Sequence, residues 1–172
     1  MYLCFRESII NSNYKEYFSM LKLDPIDKKL LVYLQEDCKM TNKELSHLSN
    51  LSVTAIYERI KKLEREGIIE RYVGLINKSK VERDFVVFCH IKLLQHRKEY
   101  LTGFEKAIQK LDEVVECFHV SGDSDYIIKV LVRDMAAFRE FMVTKLTTLD
   151  HIGSTHSSFM INEVKHTTAI TI

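Results

Sequence analysis

Glycine and proline are scarce in this chain, five and one among 172 residues. That scarcity excludes a Gly- or Pro-rich linker and any low-complexity tract. There is no Walker A loop and no dinucleotide fingerprint. Neither GxSxG nor HExxH occurs, and nothing has the look of an activated nucleophile, so the residues offer no catalytic group and call for no cofactor. The four cysteines, Cys4, Cys38, Cys89 and Cys117, are widely separated and lack CxxC or Cys/His spacing. Cys89 and Cys117 fall in strand-like stretches and are expected as buried free thiols, which favours a reducing, cytoplasmic setting. Seven histidines match no ligand pattern, so no metal site is expected. No apolar run is long enough to span a membrane.

An excess of one charge is lacking too. Residues 1–23 carry three bases and two acids, residues 24–71 nine of each, and residues 72–172 thirteen of each, for a net charge of +1. Bulk charge therefore does not argue for nucleic acid, and any affinity for it must come from local placement. The first 23 residues form an N-terminal extension. Arg6, Glu7, Asn11, Asn13 and Lys15 interrupt any apolar core, which excludes a signal peptide. Met20, just ahead of Leu21, is a candidate native start; the alternative is an arm in which Tyr14, Tyr17 and Phe18 pack as a short helix.

What is present is concentrated between Thr41 and Arg65. Thr41 with Glu44 makes a capping box, and Leu45 and Leu48 give the helix that follows an apolar edge. Asn50 falls where the chain must turn sharply, and Asn tolerates the left-handed conformation. Ser52 caps a second helix. Val53, Ile56, Ile60 and Leu63 recur at steps of three and four, so they are expected on one buried face. Gly67 stops the helix. Upstream, Asp24-Pro25-Ile26-Asp27 opens another helix, with Ile26, Leu30, Leu31 and Leu34 at helical spacing. Three helices over residues 24–71, the last two joined by a tight turn, are the layout of a helix-turn-helix. On the exposed face of the second motif helix, Ser52, Thr54, Ala55 and Glu58 are expected near base edges of double-stranded DNA. Lys61, Lys62 and Arg65 are expected near phosphates, with Arg59 on the flank able to serve either role. The alternative is an ordinary helical hairpin with a solvated charged face. Ile68 to Ile76 is β-prone and predicts a wing strand or a connecting strand, with residues 72–83 as linker.

Beyond Lys80 the periodicity changes. Strands are predicted at 85–94, 114–121, 126–132 and 155–164. Helices carry Tyr100, Leu101, Phe104, Ile108 and Leu111, then Phe138, Phe141, Met142, Leu146 and Leu149. The order is β-α-β-β-α-β, a ferredoxin-like sandwich over residues 84–172, giving an α+β chain with a helix-turn-helix domain in front. Its sheet would be antiparallel with both helices on one face. The other face needs a cover, and a second copy of the same sheet is the natural candidate.

The stretch from Asp24 to Ile172 resembles the Lrp/AsnC (feast/famine) family of transcription regulators. The match is carried by Leu23-Asp-Pro-Ile-Asp-Lys-Lys-Leu-Leu31, by residues 51–69, by His119-Val-Ser-Gly-Asp-Ser-Asp-Tyr-Ile-Ile-Lys-Val130, and by Glu163-Val-Lys-His-Thr-Thr168. The third is the most specific, since a strand–Gly-Asp-x-Asp-Tyr–strand run marks the family's effector module. The resemblance implies a sequence-specific DNA-binding protein that dimerises through its C-terminal sheets. Family dimers often build tetramers, octamers or hexadecamers with an amino acid bound between them. The matching effector positions are Gly122, Asp123 and Asp125, with Ser154, Thr155 and Ser157 as weaker candidates. A carboxylate suits an α-ammonium, and turn N–H groups or hydroxyls suit an α-carboxylate; the alternative is that Asp123 and Asp125 only form an Asx-type turn. Two departures stand out: Asn50 replaces a common Gly, and Lys39 replaces a frequent Arg.

Three readings compete. The first is a metabolite-switched transcription factor acting at the nucleoid. The second is an architectural nucleoid protein that wraps DNA with little base readout. The third is an enzyme like the siroheme decarboxylases, similar in fold, in which His90, His119 or His156 would line a tetrapyrrole pocket.

Overall fold

The computed structural model describes residues 23–172, so the question of the extension and of Met20 lies outside the described residues. The chain divides into two compact units. One ends at Gly74 and takes back His166–Ile172, and the other is Leu75–Lys165.

In the first unit, α1 (Pro25–Glu36), α2 (Asn42–Ser49) and α3 (Val53–Arg65) follow one another closely. Their ends follow local chemistry. The Asp24 carboxylate accepts the Ile26 and Asp27 N–H groups, each at 2.8 Å, ahead of Pro25 at the first helical turn. Thr41 and Glu44 form the reciprocal capping box. Asn50 turns the chain at φ 52, ψ 42, the left-handed region. Ser52 Oγ accepts the Ala55 N–H at 3.2 Å. Gly67, at φ +69, closes α3: its own N–H donates to the Glu64 carbonyl and the Ile68 N–H to that of Leu63, the paired bonds of a Schellman end. Leu30, Leu45, Ile56 and Ile60 form the core, with Ile26, Leu34, Leu51 and Ile69 packed around it. Leu48 and Val53 depart from expectation, at 44% and 47% exposure. They flank the Asn50 corner, on the last turn of α2 and the first of α3, where helical periodicity continues but the neighbouring helices do not follow.

No strand forms between Ile68 and Asp84. The expected wing or linker strand is replaced by extended chain and a 3-10 turn at Lys78–Val81, capped by the Asn77 side chain. β-propensity alone does not make a strand; a ladder needs a partner, and no described segment pairs here.

The second unit orders β1 (Phe85–Leu93), α4 (Lys98–Ile108), β2 (Val114–His119), β3 (Tyr126–Val132), α5 (Met135–Thr144) and β4 (Ile152–Phe159). The sheet runs β2-β3-β1-β4, antiparallel throughout. Val87, Cys89, Ile91 and Leu93 of β1 and Tyr126, Ile128, Val130 and Val132 of β3 face the helices. There they meet Phe104 and Ile108 of α4 and Phe138 and Phe141 of α5. This is the expected ferredoxin-like sandwich, with three adjustments. First, β4 occupies 152–159 rather than 155–164: Phe159 lies opposite Val87 and the Met160 N–H reaches the Val86 carbonyl, after which β1 has almost run out. Second, Cys117 is exposed rather than buried, because β2 is an edge strand whose residues after Val114 all face solvent to a large degree. Third, after β4 the chain ends with His166–Ile172 packed within the first unit. The Gln35 amide donates to the Ile170 carbonyl at 3.1 Å and accepts the Ile170 N–H at 2.7 Å.

Candidate nucleic-acid interface and effector turn

α3 owes its position to Ile56, Ile60 and Leu63, whose side chains leave 9% or less exposed. With that face sealed, Ser52, Thr54, Glu58, Lys61, Lys62 and Arg65 are exposed, and Ala55 is half-buried beside them. A helix held by one apolar stripe and bare on the other is what a major groove accepts. Lys61 Nζ lies 2.7 Å from Glu64 Oε2 and 5.9 Å from the centre of the Tyr57 ring. Glu64 Oε1 also accepts from the Tyr72 hydroxyl at 3.0 Å. The pair raises the Lys61 pKa and lowers that of Glu64 through the hydrogen bond they share. No hydrogen bond or ion pair within the described residues engages Lys62 or Arg65. Local pairing thus leaves these two as the cations of the exposed face that hold no internal partner.

Arg59 is placed differently from the flanking role expected of it. Its Nη1 sits between Asp24 Oδ2 at 2.5 Å and Asp27 Oδ1 at 2.6 Å. Hydrogen bonds to Asp24 and then Asp27 raise the Arg59 pKa. Asp24 is lowered first by the Asp27 N–H, which together with Arg59 outweighs the opposing effect of burial. Arg59 therefore ties α3 to the start of α1. Lys29 does similar work on α2, its ammonium reaching the Leu48 carbonyl at 2.7 Å at that helix's negative end.

In the second unit, Val120 to Asp125 link β2 to β3. Gly122 takes φ +127, a region that side-chain-bearing residues avoid. Both carboxylate oxygens of Asp125 are engaged: Oδ2 accepts the Leu93 N–H at 2.8 Å and Oδ1 lies 2.7 Å from His96 Nε2. Burial would raise the Asp125 pKa, but the Leu93 N–H and His96 outweigh it and hold the group low. The Asp125 N–H in turn donates to the Ile91 carbonyl at 2.9 Å, so this residue pins the turn to the end of β1. Asp123 is exposed beside Gly122. The β4 candidates divide between faces. Thr155 and Ser157 stand opposite Ile91 and Cys89 on the helix side of the sheet, Ser157 Oγ lying 3.7 Å from Cys89 Sγ. Ser154 stands opposite Lys92 on the other side. The turn and the start of β4 thus flank the same end of β1, but the three β4 hydroxyls do not converge on one point.

Residues 86–170 match the Lrp/AsnC ligand-binding domain and residues 23–70 a winged helix-turn-helix DNA-binding domain. The leucine-responsive regulatory protein of Escherichia coli K12 is 37% identical over 150 residues, 87% of this chain and 92% of that protein. The chain belongs to the Lrp/AsnC family of transcriptional regulators. Among solved structures, a transcriptional regulator–L-Met complex from Neisseria meningitidis superposes with a TM-score of 0.83 at 33% identity, covering 87% of this chain and 96% of that one. An AsnC-family regulator from Agrobacterium tumefaciens gives 0.82 at 35%, covering 86% and 95%.

As an Lrp/AsnC protein, the chain is a DNA-binding transcription regulator with a ligand-binding domain, in a family of regulators rather than enzymes. His90 and His156 are neighbours on the outer sheet face with ring centroids 6.2 Å apart, whereas His119 stacks on Tyr126, whose ring is in the core. His119 therefore lies on the other face of the sheet from His90 and His156. Two further residues of α3, Tyr57 and Val53, are both about half exposed. Tyr57 follows Val53 and precedes Lys61 at four-residue steps, and that spacing is the signal that could have found them. No described helix is long and apolar enough to cross a membrane.

Proposed function

We propose that this Lrp/AsnC regulator reads a specific DNA sequence with α3 as a homo-oligomer, and that a free amino acid modulates the binding. The observation that carries the reading is the bare flank of α3. Thr54 and Glu58 stand near its N-terminal half, Lys62 and Arg65 near its C-terminal half, and its buried stripe holds it rigid. The small polar groups serve base edges and the cations serve phosphates. One such helix with two unpaired cations binds weakly, so two subunits on one site are part of the proposal.

The pairing surface is the outer sheet face. Phe88 of β1, Ile127 and Leu131 of β3 and the half-exposed Phe118 of β2 lie on the side away from both helices, where a second copy would bury them. For the effector, Asp123 receives the α-ammonium and the N–H groups around Gly122 the α-carboxylate, while Asp125 holds the turn in shape. The L-Met complex of the Neisseria relative supports an amino acid as the ligand class. Whichever state the ligand binds more tightly gains population, by no more than that difference in affinity.

A mobility-shift titration on the DNA flanking its own gene, with and without each of the twenty amino acids, tests the reading. A shift specific to that DNA and altered by one or a few amino acids is expected. No binding at low salt, where phosphate contacts are strongest, overturns it. Equal affinity for unrelated sequences with no amino-acid response supports the architectural reading instead.

A further inference from the structure

Two side chains of α3 serve neither its core nor its polar flank. Val53 and Tyr57 are 47% and 46% exposed, and neither belongs to the apolar cluster that holds the first unit together. With Lys61 they stand at steps of four, so they run along one edge of the exposed face, Val53 next to Thr54 and Tyr57 next to Glu58. Lys61 Nζ lies 5.9 Å from the centre of the Tyr57 ring, and Glu64 Oε2 holds that ammonium at 2.7 Å. The Lys61–Glu64 pair thus sits one turn beyond the ring and restricts where it swings. Val53 is β-branched, which fixes its rotamer in a helix. Both apolar groups stand on the N-terminal half of α3, the half of a recognition helix that meets base edges. Lys62 and Arg65 continue the same exposed face toward the C-terminus, so the strip is continuous with the cationic flank.

We propose that Val53 and Tyr57 are specificity-determining residues that pack against thymine 5-methyl groups, so that this regulator selects sites with thymine where the first turns of α3 meet the bases. The inference rests on the reading of α3 as the helix that enters the DNA. The chemistry of the groove decides the target. Every base pair shows hydrogen-bond donors and acceptors in the major groove, and the one apolar group displayed there is the thymine methyl. A phosphate gains nothing from a valine, and Val53 has no polar atom with which to read any other base. Thr54 and Glu58, one position along from each apolar residue, read polar edges in the same register. Polar and apolar rows side by side therefore distinguish thymine from cytosine, which presents an amino group and no methyl.

The test compares two versions of one DNA fragment, the region flanking its own gene, amplified with either thymidine triphosphate or deoxyuridine triphosphate. Uracil keeps every hydrogen-bonding group of thymine and lacks only the 5-methyl. The full chain should bind the uracil fragment at least about fourfold more weakly, the worth of one methyl group removed from water. Val53→Ala with Tyr57→Ala should weaken binding to the thymine fragment and erase most of that ratio, whereas Tyr57→Phe, which keeps the ring, should preserve it. The comparison on the unaltered chain stands even where the double variant fails to fold. Equal affinity for the two fragments overturns the inference and leaves α3 as a reader of polar edges alone. A ratio unchanged in a folded double variant overturns it too, since the methyls would then act through DNA shape. Binding of neither fragment at low salt overturns the inference together with the reading it rests on.

Discussion

Arg59 holds Asp27 as a buried ion pair, Nη1 to Oδ1 at 2.6 Å, with the Asp27 side chain 2% exposed and that of Arg59 29%. The pair joins the third helix of the DNA-binding unit to the first turn of its first helix. Removing the cation would strand a carboxylate that has no access to water. Breaking a buried pair from one side costs about 3–5 kcal/mol, and the partial exposure of Arg59 places this case near the lower end. Arg59→Met is therefore expected to destabilise the first unit by roughly 3 kcal/mol, read as a lower urea midpoint. An unchanged midpoint accompanied by weaker DNA binding would return Arg59 to the phosphate role that its position in the sequence suggested.

Lys62 and Arg65 should behave in the opposite way. Both are exposed and neither supports the fold through a described contact. Lys62→Glu with Arg65→Glu should leave the unfolding midpoint and oligomer size as they were while DNA affinity collapses. Neutralising each residue singly should lower the salt dependence of binding by about one counterion for every phosphate left without its cation. Retained affinity with an unchanged salt slope would remove α3 from the interface.

These contrasts show which parts of the fold were legible in the sequence. Ends fixed by chemistry within four residues were readable: the Thr41–Glu44 box, the left-handed Asn50, the Ser52 cap and the Gly67 stop each need only their own neighbours. The turn residues Gly122 to Asp125 likewise marked where β3 begins, and it runs over the expected Tyr126–Val132. What failed depended on partners distant in sequence. The bounds of β4 are set by the strand it pairs with, and no local pattern carries that. Ile152 and Phe159 bound β4 because Leu93 and Val87 of β1 face them. Ile68–Ile76 has strand composition but no described ladder partner. Arg59 read as surface because its two acids lie 35 and 32 positions upstream. Gln35 and Ile170, 135 positions apart, left no signal at all.

Asp24 makes the first unit sensitive to acid. The Asp27 N–H first, and Arg59 after it, hold its folded pKa below the ordinary aspartate value of about 3.9. A depressed carboxylate contributes stability that is complete above the unfolded value and is lost as pH falls through the folded one. Thermal midpoints should thus be flat near neutrality and drop below about pH 4. Asp24→Asn keeps a good helix cap but removes this titration, so its acid limb should be shallower. Parallel acid limbs in the two proteins would assign the acid sensitivity to other carboxylates, Asp125 foremost.

Asp123 and Asp125 sit two residues apart in one turn and should separate cleanly by substitution. Asp125 accepts the Leu93 N–H at 2.8 Å and pairs with His96 at 2.7 Å, whereas Asp123 is exposed. Asp125→Ala removes the acceptor and leaves a strand-end N–H unmet, at a cost of about 1–3 kcal/mol. Asp123→Ala removes no described contact and should leave the midpoint within about 0.5 kcal/mol of the parent. If Asp123 receives the ammonium of an amino-acid effector, that second change should abolish the ligand-induced rise in thermal midpoint that binding to the native state produces. An effector response that survives Asp123→Ala but disappears in a still-folded Asp125→Ala would move ligand recognition to the pinned residue, and would mean that the ligand displaces His96 or the Leu93 N–H on binding.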